Sequence, residues 1–295
     1  MNPQSAIPGS PAGQPRSRGS RNPQFATLRI APSRGWVSLK LGELWAYRDL
    51  FRLLAWRDVR VRYRQTVLGV GWAVLQPLLT ILVFSLIFGR LARVPSDGAP
   101  YPAFAYSALL PWTLFATALT RAAGSLVSNS ALLSKVYFPR LVLPLGSVLT
   151  AVVDFAISLV VLLGLLAWYH IVPTWAALLI PVFVAYTVIA SWAVGIWAAA
   201  LNVRYRDVNF ALPFIVQIGL FVSPVVYSAS LVPAPFRIFF DLNPMTLVIQ
   251  VFRWGLLGDA PPSAMMFISI PIVVLLLISG VFYFRRTERF FADII

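Results

Sequence analysis

The chain has no cysteine. That excludes disulfides, a thiolate metal site and a cysteine nucleophile. Histidine occurs once, as His170, and lysine twice, as Lys40 and Lys135. Neither lysine completes a GxxxxGK pattern, so the chain carries no phosphate-cradling P-loop. It also lacks HExxH, GxSxG and paired carboxylates within an apolar run, so we assign it no catalytic residue and no metal ligand. Charge itself is scarce, at 12% of 295 residues, where a soluble domain carries about a quarter. What is abundant is apolar surface: 59% of residues are hydrophobic and the mean hydropathy is +0.79. This is the balance of an all-α integral membrane protein.

A membrane-crossing helix needs roughly 20 apolar residues. Six windows qualify: 67–89, 103–120, 141–169, 174–200, 208–230 and 264–284. The second is the shortest, but it is free of charge and rich in aromatics. Residues 1–35 are rich in Pro, Gly, Ser and Arg, with no acid and no apolar stretch of signal-peptide length. We expect a disordered basic tail over 1–41 and a transmembrane domain over 42–295. Six crossings put both termini on one side. With the termini cytoplasmic, twenty of the 24 basic residues lie inside, and Arg90, Arg93, Arg237 and Arg253 lie outside.

Residues 42–58 read as an N-terminal amphipathic helix lying along the membrane surface. Leu44, Tyr47, Leu50, Phe51 and Leu54 share one face, while Arg48, Asp49 and Arg52 share the other. The densest charge follows at once: Arg57, Arg60, Arg62 and Arg64. A continued helix would align Arg57, Arg60 and Arg64, whereas an extended chain would align Arg60, Arg62 and Arg64. Such a ridge suits orientation by positive charge or bidentate phosphate recognition. Nucleic acid is poorly served, because no groove-reading motif or single-strand platform accompanies it. The string VRYR recurs at Val203–Arg206, again beside an apolar window.

Two regions are not simple crossings. Ser128–Pro144 is a short, moderately apolar segment that fits either a docking helix for a partner or a plain connection. Ser223–Pro262 is apolar but broken by Pro224, Pro233, Pro235 and Pro244, so it reads as two short helices dipping from the outer surface. Asp154 is the one acid inside a crossing. A proton relay would need further acids, so a structural partner, an arginine or backbone donors, is the favoured reading beside a coupling role. Aromatic and amide side chains share helix faces at Trp72 and Gln76, at Trp112 and Phe115, and at Phe214, Gln217 and Phe221. Such faces suit the lining of a sugar channel, since rings stack on pyranose C–H faces and amides take hydroxyls.

Taken together, VRYRQTVLGVGWAVLQPLL, LLPWTLFATAL, LLSKVYFPRLVLPL, NVRYRDV, SPVVYS and LNPMTLVIQVFRWGLLG resemble the permease subunits of type-2 ABC exporters. The nearest group is the polysaccharide and polyol-phosphate exporters, which handle O-antigen, capsule and teichoic acid. The resemblance runs from about residue 42 to the C-terminus. It implies six transmembrane helices, an interfacial helix, a cytoplasmic coupling helix after the second crossing, and two short outer gate helices before the sixth. It also implies a homodimer in the bacterial inner membrane and a separate ABC subunit, in two copies, holding ATP and Mg. The cargo would be a polysaccharide on a polyprenyl diphosphate, taken from the cytoplasm. By position, Leu132, Leu133, Lys135, Val136, Tyr137, Phe138 and Pro139 would dock on the ATPase. Arg60, Arg62 and Arg64 would meet the lipid diphosphate, and Asn243, Pro244 and Arg253 would belong to the outer gate. A proton-driven flippase leaning on Asp154, and a membrane enzyme acting on polyprenyl phosphates, are the rival readings.

Overall fold

Long uncharged runs bounded by proline, glycine or arginine dictate helices, because a chain in hydrocarbon must satisfy its own backbone. The computed structural model describes residues 47–64, 70–133, 135, 138–288 and 291. These residues form helices and connecting turns, with no strand among them. Helix α1 is Arg48–Arg64. Helix α2, Val70–Phe84, continues as a π-helical stretch, Ser85–Leu91. Helix α3 is Tyr101–Ser128, and the four-residue α4 is Ser130–Leu133. Helices α5 and α6 are Val142–Ser147 and Leu149–Trp168. Helix α7 is Ile180–Arg204, led in by a 3-10 turn, Trp175–Leu179. Helix α8 is Val208–Val222, and α9 and α10 are Arg237–Leu242 and Pro244–Leu257. Helix α11 is Ser269–Thr287, led in by Ala264–Ile268.

Five of these segments are long and apolar enough to cross a membrane: Val74–Leu91, Tyr101–Ser128, Val142–Trp168, Trp175–Arg204 and Ala264–Thr287. The protein is therefore a multi-pass membrane protein whose described residues carry helices alone as regular structure. The window at 208–230 does not form one helix as expected. Helix α8 stops at Val222, and Ser223 turns extended at φ −94° and ψ 148°. Pro224 contributes to this, because its ring disfavours helical geometry in the residue before it. The 15 residues of α8 span about 22 Å, short of a 30 Å hydrocarbon core. The second window grows instead, from 103–120 to the 28 residues of α3.

Helix α3 is the axis of the bundle, and it packs most extensively on α7. Small residues let the two approach. A Cβ placed on Gly195 would lie 2.7 Å from the Ala122 Cβ. Hydroxyls inside α3 are satisfied by their own helix, as Ser107 donates to the Phe104 carbonyl and Ser125 to that of Ala122. Fully buried Asn202 on α7 ties three helices, donating to the Ala123 carbonyl and to Asn209 Oδ1 on α8.

There are two main cores, one at a single end of the bundle and a larger one that runs from beside it to the opposite end. One gathers Leu54 of α1, Leu126 of α3, Val142 of α5, Val203 of α7 and Phe284 of α11. The other gathers Leu109 of α3, Leu166 of α6, Val225, and Leu247 and Phe252 of α10. Helix α1 does not merely float at a surface. Tyr47, Leu50 and Phe51 pack into the first core, with Phe51 lying over Gly146 of α5, while Arg48, Asp49 and Arg52 stay exposed. This is the expected division of faces. Leu44 lies outside the described residues.

Candidate functional site

The arginine segment folds as helix to Arg64, so the helical alternative holds and positions 57, 60 and 64 share a face. Arg62 falls on another face and reaches α6. Its Nη2 lies 2.9 Å from Asp154 Oδ2, and the Tyr63 hydroxyl donates to Asp154 Oδ1 at 2.5 Å. Asp154 thus has the arginine partner expected of it, and Tyr63 is a partner that the sequence did not suggest. Burial first, and then the hydrogen bond and charge of Asp154, push the Tyr63 hydroxyl up to about 12. Arg57 is held by Asp58, at 2.8 Å, and by Asn129 Oδ1 at the end of α3, also at 2.8 Å. Arg60 is exposed and has no ion-pair partner among the described residues. The three arginines grouped as a diphosphate entrance are therefore not one ridge: helical geometry divides Arg62 from positions 60 and 64.

Beside the Arg62–Asp154 pair lies a cavity of about 150 Å³ between α2, α3 and α6. Its lining repeats at helical spacing: Gln76 and Thr80 on α2, Thr113 and Thr117 on α3, Asp154 and Ser158 on α6. Among the expected channel residues, Gln76 opens into this cavity. Trp72, Phe214 and Phe221 are exposed at 51%, 67% and 49%, and Gln217 is exposed with them. Trp112 is not: it is 5% exposed, because its ring seats over Gly219 of α8, where a Cβ would meet it at 2.8 Å. Phe115 is half-buried with its ring centroid 5.6 Å from that of Trp112.

The docking segment divides in the same way. Leu132 and Leu133 are half-buried against the first core, and Phe138 and Pro139 are buried. Lys135 is exposed. Val136 and Tyr137 lie outside the described residues. Phe138 at 5% exposure is an anchor in this chain's own core and has no free face for a partner.

At the other end, Asn243 caps α10: its Oδ1 accepts from the Met245 amide at 2.9 Å, and its Nδ2 donates to Ser223 Oγ at 2.9 Å. Pro244 occupies the first helical position, and Gly258 ends the helix at φ 79°, a conformation that favours glycine. Arg253, counted among the outer positive charges, is 1% exposed. Its Nη2 donates to the Val225 carbonyl at 3.0 Å and its Nη1 to the Tyr227 carbonyl at 3.3 Å. Its Cζ sits 3.6 Å from the Phe104 ring centroid. Tyr101 donates to the carbonyl between them, Val226, at 2.9 Å. The three carbonyls of a broken, buried turn are thus taken by two side chains from α3 and α10. Burial pushes the guanidinium down to about 10, opposed by Asp259 and Asp97, so it stays charged at neutral pH.

A bundle of apolar crossings, with a charged clasp at one end and a buried turn and short helices at the other, defines a polytopic helical membrane protein. The ABC-2 type transporter model matches residues 49–257. The chain is 33% identical over 254 residues to the O-antigen export system permease protein RfbA of Myxococcus xanthus, covering 83% of this chain and 96% of that protein. An O-antigen export system permease protein RfbA of Klebsiella pneumoniae is 28% identical over 255 residues, covering 84% and 95%. The polysialic acid transport protein KpsM of Escherichia coli is 23% identical over 211 residues, covering 67% and 77%. The chain belongs to the ABC-2 type transporter family.

Proposed function

We propose that the chain is the channel-forming subunit of an ATP-driven exporter that moves a polyprenyl-diphosphate-linked polysaccharide, of the O-antigen class, across the bacterial inner membrane. The observation that carries this reading is the likeness to an O-antigen export permease over 83% of the chain. ATP and Mg belong to a separate ATP-binding subunit, two copies of which serve a homodimer of this chain. Residues 42–295 form the transmembrane domain behind the tail of residues 1–41. Helix α8 and the Ser223–Ser228 turn make the fifth of six crossings. The end bearing Arg57, Arg60, Arg140, Arg204 and Arg285 is cytoplasmic, as the positive-inside rule requires.

In this reading the exposed aromatic and amide faces of α2 and α8 line a channel between two copies. Weak, repeated contacts let the polymer slide where tight binding would stall it. Leu132–Pro139 takes up motion of the ATPase, with Lys135 presented outward and Phe138 holding the segment to the bundle. Asn243, Pro244 and Arg253 set the outer gate. Arg60, Arg62 and Arg64 meet the lipid diphosphate from two helix faces.

The test is co-purification with an ATP-binding subunit, followed by ATPase and transport assays with a polyprenyl-diphosphate glycan in proteoliposomes. ATP-dependent transport by the pair is expected. Robust transport by this chain alone would overturn the reading in favour of an ion-driven flippase.

A further inference from the structure

The cavity beside Arg62 has a chemistry that a bare entrance does not need. Thr80 Oγ1 donates to the Gln76 carbonyl at 2.8 Å, and Thr113 Oγ1 donates to the Leu110 carbonyl at 2.9 Å. Each hydroxyl has given its proton to its own helix and keeps only acceptor capacity. The Gln76 amide adds both a donor and an acceptor. Such a lining suits a ligand that brings several O–H donors. The volume, about 150 Å³, is enough to hold one six-membered ring. At the cavity's charged corner, Arg62 bonds Asp154 through one nitrogen, which leaves other guanidinium donors for a phosphoryl oxygen. The pair is not sealed, since the two side chains are 43% and 20% exposed. Arg121 on α3 lies within electrostatic reach of Asp154, and its buried Nε has no acceptor among the described residues.

We propose that this cavity binds the first ring of a phosphorylated, hydroxyl-bearing lipid headgroup, with the phosphoryl group on Arg62. Asp154 competes with that group for Arg62 and turns toward Arg121 when displaced. The cavity thereby reads the first sugar of the cargo, ahead of any contact in the channel between copies. This deepens the export reading and rests on its claim that the cargo rides on a lipid phosphate.

The experiment measures binding to the full chain in nanodiscs, using polyprenyl diphosphate, the same lipid bearing one hexose, and inorganic phosphate. The hexose lipid should bind several-fold tighter than the bare diphosphate. The near-isosteric Thr113→Val and Thr117→Val pair should erase that difference and leave the bare diphosphate unchanged. Arg62→Gln should weaken both lipids about tenfold, and Arg62→Lys less. Asp154→Asn, in protein that remains monodisperse, should tighten both by up to about fivefold, because a partly exposed ion pair competes only modestly. Equal binding of the two lipids by the unsubstituted chain would remove the ring subsite, and weaker binding by Asp154→Asn would remove the competition. Inorganic phosphate displacing the hexose lipid at equal concentration would reassign the site to a soluble anion and overturn the proposal. ATP-dependent export in proteoliposomes separates the two readings. Export without ring-dependent binding sinks the cavity alone, and ring-dependent binding without export sinks the transport reading alone.

Discussion

An Arg253→Leu substitution strips the guanidinium from beneath the Ser223–Ser228 turn. Two charge-assisted hydrogen bonds are lost, to Val225 and Tyr227, together with the stack on Phe104. The cost of burying a charge is removed at the same time, so the two effects oppose. The deciding factor is what remains. The Val225 carbonyl belongs to a residue that is 0% exposed, and leucine offers it no donor. Leaving a buried acceptor unsatisfied costs about 1–3 kcal/mol. Arg253→Lys keeps the charge but cannot span carbonyls two residues apart while stacking flat on a ring. We therefore expect roughly 1–3 kcal/mol for each carbonyl left without a donor, one in the lysine variant and two in the leucine variant. Hydrogen exchange in the purified protein provides the measurement: amides of Ser223–Ser228 and of the start of α10 should lose protection before those of α7. Wild-type protection of this turn in Arg253→Leu would refute the reasoning.

The remaining predictions are narrower. Gly195→Val should cost about 1–3 kcal/mol, because its Cβ would meet Ala122 at 2.7 Å between two packed backbones; an unchanged thermal midpoint would show that α3 and α7 can part freely. Asn243→Ala should cost about 1 kcal/mol by uncapping α10, read as earlier exchange at Met245. Because the Tyr63 hydroxyl is raised to about 12, the folded state binds its proton more tightly than the unfolded chain. Its contribution is full below the ordinary value near 10 and is lost as pH rises toward 12. A difference titration at 295 nm against Tyr63→Phe should therefore show one tyrosine ionising late, and an ordinary midpoint would place Tyr63 away from Asp154.

The apolar windows, the surface helix and the broken outer region are legible in the string of residues itself. Burial of a face or a whole run is a local property, written every residue or every 3.6 residues. The spacing of Leu50, Phe51 and Leu54 states the packed face of α1. The proline at 224 is equally visible and opens that broken region, but hydropathy alone carries the 208–230 window past it, beyond the helix end at Val222. The polar stripe of the cavity is also present, at positions 76 and 80, 113 and 117, and 154 and 158. Single threonines in an apolar helix carry little signal, since each can satisfy itself.

The sequence by itself determined a polytopic helical protein, its family, the absence of an ATP-binding loop in this chain, and an acid that required a partner. Tertiary structure alone decided which arginine that partner is. Arg57, Arg60, Arg62 and Arg64 are chemically equal in the string. Only the phase of α1 against α6 brings Arg62 to Asp154 and leaves Arg60 exposed. The same holds for Trp112, whose ring is buried because Gly219 lies opposite it, and for Arg253, drawn inward by two carbonyls of a turn 26 and 28 residues away. Pairings across such distances depend on how helices dock, and no local period in the chain records that docking.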